Sequence, residues 1–275
     1  MIVKAIKRNH AMAFSAVELL IVVVVLALLV ITQFPAGALT KAGSERLTCG
    51  DNLRRISVAF REWAANHQDR LPMHVAPAEG GAHVSIGLAA TLPWTGGPNP
   101  NANRGVYWMF AVMSNELATP KVLFCPAENS LSHDVGGATI SQAEVFGPQL
   151  PGGPAGFQND YNISYFVGVD ANYSGPRMLL TGDHNLGTGP DAFTKINQFV
   201  SAGTNANWSS TAIGWQDNNH RKEGNVAFID GSVQTLNTAQ FRSALNNSGD
   251  FGRVPGIFLT AQGSSGAGIN RLQFP

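Results

Sequence analysis

One run of residues constrains this chain more than any other: Phe14-Ser15-Ala16-Val17-Glu18-Leu19-Leu20-Ile21-Val22-Val23-Val24-Val25-Leu26-Ala27-Leu28-Leu29-Val30-Ile31 carries a single charge in 18 residues. At 1.5 Å per residue, a helix of that length is about 27 Å long, enough to cross most of a bilayer's hydrocarbon region. Lys4, Lys7 and Arg8 precede it in a thirteen-residue head that has no acid. A basic flank predicts that the head stays cytoplasmic and the carboxy-terminal body is exported. Glu18 is the residue a plain anchor does not explain, because an ionised carboxylate in lipid costs about 2.5 kcal/mol or more on insertion scales. An amino group created by cleavage between Ala13 and Phe14 would supply a partner one helical turn away. Two other readings compete: a conventional signal peptide cut after Ala38, and an uncleaved single-pass anchor.

The rest of the composition excludes several classes of function. The 275 residues balance 18 Lys and Arg against 18 Asp and Glu, so there is no global basic field and no nucleic-acid partner is expected. Charged residues make up 13%, while Gly and Pro number 30 and 15, which favours a loop-rich body outside the reducing cytosol. Cys49 and Cys125 are the whole cysteine complement. A thiolate zinc site of the usual kind, an iron–sulfur centre and a disulfide-dense module all lack ligands. The two cysteines can form a structural disulfide after export, which in the chain-entropy account stabilises by roughly 4 kcal/mol. Reduced and buried thiols are the alternative.

After Pro35 and Gly37 interrupt the first helix, an amphipathic helix is predicted over about 41–68. Cys49, Leu53, Ile56, Phe60 and Trp63 fall at alternating four- and three-residue steps and form its apolar face. Residues 69–105 read as a long irregular connection, 106–117 as a short helix and 122–124 as a strand; 136–156 is again irregular. Strands are expected at 161–167, 177–180 and 208–215. The clearest local unit is a β-hairpin over about 225–236, with Asp230-Gly231 as a tight two-residue turn. A short helix over 238–245 follows.

Several of these stretches resemble a known family. Lys4 to Pro35, with its basic leader, Phe14, Glu18 and Pro35, is similar to the class III signal and hydrophobic helix of type IV pilins and type II secretion pseudopilins. Ala13 stands where that family usually has Gly. Cys49 to Pro72, Phe124-Cys125-Pro126, and His220 nine residues before Asp230-Gly231 resemble the large pseudopilin-like proteins that carry a His-x9-Asp-Gly signature. The resemblance implies an α+β, pilin-like fold: a long N-terminal α-helix, membrane half plus cap half, packed on an antiparallel β-sheet cap with long loops. It implies a leader (1–13) removed by prepilin peptidase, a hydrophobic assembly helix (14–35) and a globular domain (36–275). Ala13 and Phe14 would be the processing residues, with the Phe14 amine methylated, and Glu18 and Pro35 would serve assembly. The expected function is a structural pseudopilin or minor pilin in a type II secretion or type IV pilus-like filament. Its partners would be prepilin peptidase, other pilin or pseudopilin subunits and an inner-membrane assembly platform. The precursor would sit in the inner membrane with its C-terminal domain periplasmic, and the assembled form in a periplasmic or cell-surface filament.

Other functional readings start from polar residues. His220, Asp217, Asp230 and the Asp183-His184 pair could make a hydrolytic or metal centre if the fold converges them. A structural reading gives Asp230 a role in its turn and His220 a backbone contact. Calcium is the cofactor best matched by Asp217, Asn219 and Glu223, although their spacing is not that of an EF-hand; otherwise no cofactor is expected. No Ser/His/Asp order and no phosphate-binding loop is present, so the chain is not expected to be an enzyme. The alternatives are a membrane-anchored surface module that binds glycans or another ligand through Trp63, Trp94, Trp108, Trp208 or Trp215, and an anchored hydrolase that depends on His220.

Overall fold

A computed structural model describes residues 15–33, 36–83, 105–128, 141–148, 151–188, 194–195, 199–202, 213–217, 219–250 and 270–275. The proposed processing pair Ala13 and Phe14, and Pro35, lie outside the described residues. The chain divides into two units, Met1–Lys41 and Ala42–Pro275.

The first unit contains α1 (Ala16–Gln33). Ser15 begins it with a reciprocal capping box. The Glu18 amide donates to Ser15 Oγ at 3.2 Å, and the Ser15 amide donates to Glu18 Oε2 at 2.8 Å. Each side chain satisfies an amide that has no partner within the helix, and the carboxylate faces the positive end of the dipole. Glu18 therefore has a partner at its own helix end, without a cleaved amino terminus.

Between Glu18 and Thr32 the uninterrupted apolar run is Leu19–Ile31, thirteen residues. That is about 20 Å of helix, against the roughly 30 Å of a bilayer's hydrocarbon core. Among the described residues, no helix is long and apolar enough to cross a membrane. This corrects the pilin-like expectation at its foundation: the long helix with a membrane half is not observed. The pseudopilin family assignment, the role in filament assembly and protein transport, and the single-pass inner-membrane location are corrected with it.

The second unit is built on a six-stranded antiparallel sheet. Its helices are α2 (Ala36–Ala65) from Ala42 onward, α3 (Val106–Ala111), α4 (Ser114–Leu117) and α5 (Thr238–Asn246). The strands are β1 (Val145–Phe146), β2 (Gly156–Phe157), β3 (Tyr165–Gly168), β4 (Leu179–Asp183), β5 (Leu186–Thr188), β6 (Thr194–Lys195), β7 (Phe199–Ser201), β8 (Ile213–Trp215), β9 (Glu223–Phe228), β10 (Val233–Asn237) and β11 (Arg271–Gln273). The main sheet runs β10-β9-β4-β3-β11-β7; β6-β5-β8 form a second antiparallel sheet, and β1 pairs with β2 in parallel.

Both faces of the main sheet are covered, which accounts for β3 and β4 being buried along their whole length. Tyr165, Val167, Leu180 and Ala227 point into a core with Cys49, Leu53, Ile56, Phe60 and Trp63 of α2. The residues between them, Phe166, Leu179, Val226 and Phe228, point the other way, into a second core with Trp215 of β8 and Phe241 and Leu245 of α5. Successive strand residues face opposite sides, so one sheet separates two apolar layers. Gly224 is required where these layers meet, since a Cβ there would lie 2.4 Å from the ring of buried Trp215.

Three local expectations change. The predicted strand at 122–124 is a 3-10 turn, Pro120–Leu123, because Pro120 fixes φ at its start and Thr119 Oγ1 accepts from the Lys121 amide. The predicted helix at 106–117 is split into α3 and α4. The hairpin turn has four residues, Ile229–Ser232, rather than two. Ile229 and Asp230 donate their amides to Met178 and Pro176 carbonyls, and only Gly231 takes positive φ, +86°. Asp230 Oδ1 accepts from the Ser232 amide at 2.8 Å and closes the turn.

His74, half-buried in a 3-10 turn (Pro72–His74), ties this segment to the sheet: its Nε2 lies 3.0 Å from the Val169 carbonyl. A carbonyl only accepts, so Nε2 carries the proton. Burial, and to a lesser extent the Arg271 charge, hold the imidazole below its ordinary pKa, although the Val169 hydrogen bond opposes them. The unfolded chain therefore binds the proton more readily. The stability His74 contributes is present above pH 6.5 and is lost as pH falls through that window towards the folded value. His74→Gln should flatten the fall of melting temperature between pH 7.5 and 5, and an unchanged slope would refute this.

Candidate functional site

Four side chains from four separate parts of the second unit meet between α2 and the sheet. Cys49 lies on α2, Cys125 just after the 3-10 turn Pro120–Leu123, Asp183 at the end of β4, and His220 between β8 and β9. Their sulfur, nitrogen and carboxylate atoms all lie within 4.8 Å of one another. Cys49 and Cys125 are joined in a disulfide with Cα atoms 5.2 Å apart. His220 Nε2 is 3.3 Å from Cys125 Sγ and 3.3 Å from Asp183 Oδ2. All four residues are at most 3% exposed.

The surroundings hold this geometry. Asp183 Oδ2 accepts the Asn225 amide at 2.7 Å and its side-chain Nδ2 at 3.0 Å, and Thr235 Oγ1 fixes that side chain by donating to Asn225 Oδ1 at 2.7 Å. The His220 loop is tied from outside: Arg46 Nη2 donates to the His220 carbonyl at 2.9 Å, and Arg46 Nη1 pairs with Glu223 Oε2 at 2.6 Å. Arg221 and Lys222 follow in the left-handed region, at φ 54° and 61°. Burial raises the Asp183 carboxyl above its usual range; His220 and the Asn225 donors oppose it without cancelling it. Burial, with Asp183 nearby, pushes the Tyr165 phenol well up.

The chemistry open to this group is set by one detail. Cys125 sulfur and the Asp183 carboxylate approach the same ring nitrogen of His220. A nucleophilic triad places the nucleophile on one imidazole nitrogen and the orienting acid on the other, so that the ring can pass a proton between them. Here the three groups converge on a point instead.

Of the residues proposed for a hydrolytic or metal centre, Asp183 and His220 come together and the others do not. His184, next in sequence to Asp183, bonds Glu128 Oε2 at 2.8 Å, and Asn219 Nδ2 donates to Glu128 Oε1 at 3.1 Å. Asp230 and Gly231 serve the hairpin turn, and Asp230 lines a separate open cavity of about 370 Å3 with Arg177, Ser232 and Gln234. Of the calcium candidates, Asp217 is exposed, the Asn219 side chain donates to Glu128 and Glu223 pairs with Arg46. Among the tryptophans proposed for glycan stacking, Trp63 and Trp215 are core residues at 2% exposure; Trp94 and Trp208 lie outside the described residues. Sequence reasoning did not join the two cysteines to the His220–Asp183 pair, because no local spacing links them.

No protein-family model, curated protein or solved structure matches this chain. Its class is defined by fold and site alone: a mixed α+β domain whose helix and sheet meet at a buried Cys–Cys–His–Asp junction.

Proposed function

We propose that the 42–275 unit is a non-enzymatic structural domain in which the Cys49–Cys125 disulfide clamps α2 to the sheet and His220 and Asp183 fill the polar space behind it. The observation that carries this reading is the convergence of Cys125 and Asp183 on one nitrogen of His220, inside a site at most 3% exposed. A redox enzyme needs an accessible sulfur, and a hydrolase needs a substrate path and a ring that relays a proton. Burial and convergence oppose both. The unit lacks Lys4, Lys7, Arg8 and Lys41 and, of the acids, only Glu18, so it carries a slight acidic excess, which supports a domain with no nucleic-acid partner.

Thiol-exchange kinetics provide the test. In native buffer, excess glutathione should leave the disulfide intact for hours, whereas in denaturant the same reagent should open it within minutes. Reduction in native buffer that is rapid and proportional to glutathione concentration would overturn the clamp reading.

A further inference from the structure

We propose that the same four side chains, once the disulfide is reduced, form a mononuclear site for a thiophilic divalent cation of the zinc class. This goes beyond the clamp, which concerns the oxidised state, and either can fail without the other.

The donor set points to the ion. Two sulfurs, an imidazole nitrogen and a carboxylate within 4.8 Å of one another make a four-coordinate, borderline-soft site, whereas calcium takes six to eight oxygens. With zinc–sulfur bonds near 2.3 Å and zinc–nitrogen or zinc–oxygen bonds near 2.1 Å, the edges of the tetrahedron are about 3.4–3.8 Å. The Cys125 Sγ–His220 Nε2 separation, 3.3 Å, is already close to such an edge.

A second observation is independent of these distances. Asp183 Oδ1 is buried without a hydrogen-bond partner, while Oδ2 is occupied by Asn225. An oxygen so placed carries an unrelieved desolvation cost, and a cation bound at Oδ1 removes it. Asn225, itself held by Thr235, then acts as the outer partner that orients a ligating carboxylate.

The chemistry balances with a dithiol as reductant. Two electrons and two protons pass to the cysteine sulfurs, the S–S bond breaks, and the dithiol becomes a disulfide. On binding the ion, each thiol releases its proton to solvent and the metal keeps its oxidation state. A dithiol-oxidising agent reverses the sequence and expels the ion, because a sulfur in an S–S bond is no longer a thiolate. The junction therefore holds a covalent bond or an ion, never both.

The test uses the full chain with Co2+ and Zn2+ as probes. Protein reduced in denaturant is refolded under argon, with and without one equivalent of either ion. The reduced chain should take up one Co2+ with the intense visible bands of tetrahedral coordination and a near-ultraviolet thiolate charge-transfer band, and Zn2+ should bleach both. The oxidised chain should show neither. Asn225→Ala should weaken the reduced site roughly 10- to 100-fold. The proposal is overturned if the reduced wild type folds and binds no ion, if it stays unfolded with either ion, or if oxidised protein gives the same spectrum. These comparisons use one wild-type chain, so the test does not depend on a variant that folds.

Discussion

Replacing Arg271 with Met is expected to destabilise the fold by about 3–5 kcal/mol, the usual consequence of removing one partner from a buried ion pair. Arg271 is 5% exposed and Asp170 is 2% exposed. The guanidinium Nε donates to both Asp170 oxygens at 2.8 and 2.9 Å, Nη2 donates to Oδ1, and the Arg271 backbone amide donates to Oδ2 at 2.8 Å. Burial already raises the Asp170 carboxyl above its usual range, and Arg271 opposes that shift. Without Arg271 an ionised carboxylate would remain in the interior with one backbone donor. The double variant Asp170→Asn with Arg271→Met should recover more than half of the loss, because no charge is then buried. The pH dependence follows from the sign of the shift. With the folded pKa raised, the folded state binds the proton more tightly, so stability is favoured below the unfolded value and declines as pH rises through the folded one. Removing Arg271 takes away what opposes that shift, so the variant's Asp170 takes up its proton at a higher pH than the wild type's, and the deficit should be smaller at pH 4.5 than at pH 7.5. Chemical denaturation at the two pH values measures it, and equal deficits would exclude a buried charge as the cause.

Loss of the disulfide should be of similar size. The bond joins residues 76 apart, and in the chain-entropy account that loop contributes about 4 kcal/mol by restricting the unfolded chain. For a unit of this length, the melting temperature should fall by roughly 10 °C. Cys49→Ala with Cys125→Ala and the reduced wild type should agree within about 1 kcal/mol when both are measured with a chelator present. The reduced wild type has no lost side-chain volume, so it separates loss of the bond from loss of packing. A shift below 2 °C in both would mean that the α2–sheet contact does not need the bond.

The parts of this fold that were legible in the sequence are those written in local spacing. The four- and three-residue steps from Cys49 to Trp63 are the buried face of α2, and the alternation on either side of Asp230-Gly231 gives β9 and β10 with Val233 opposite Ala227. The Ser15-x-x-Glu18 box is equally local, but it is two residues beside a long apolar run whose length is the stronger signal. Covering both faces of the main sheet was less visible, since β3 and β4 are buried at every position and their sequences lack the alternation that marks a half-exposed strand. The junction was the least legible part. Residues 49, 125, 183 and 220 meet only because tertiary packing brings a helix, a loop after a 3-10 turn, a strand end and a second loop together.

The place of β11 has a consequence for the order in which this molecule can be completed. It pairs with β3 on one side and β7 on the other, so a strand that follows both in sequence lies between them in the sheet. During synthesis on the ribosome, β3 and β7 must wait with bare edges until residues 271–273 emerge. Exposed strand edges are templates for pairing with other chains. A growing chain of this protein is thus open to intermolecular association just before β11 slots in, and a chaperone that shields those edges would act on that interval.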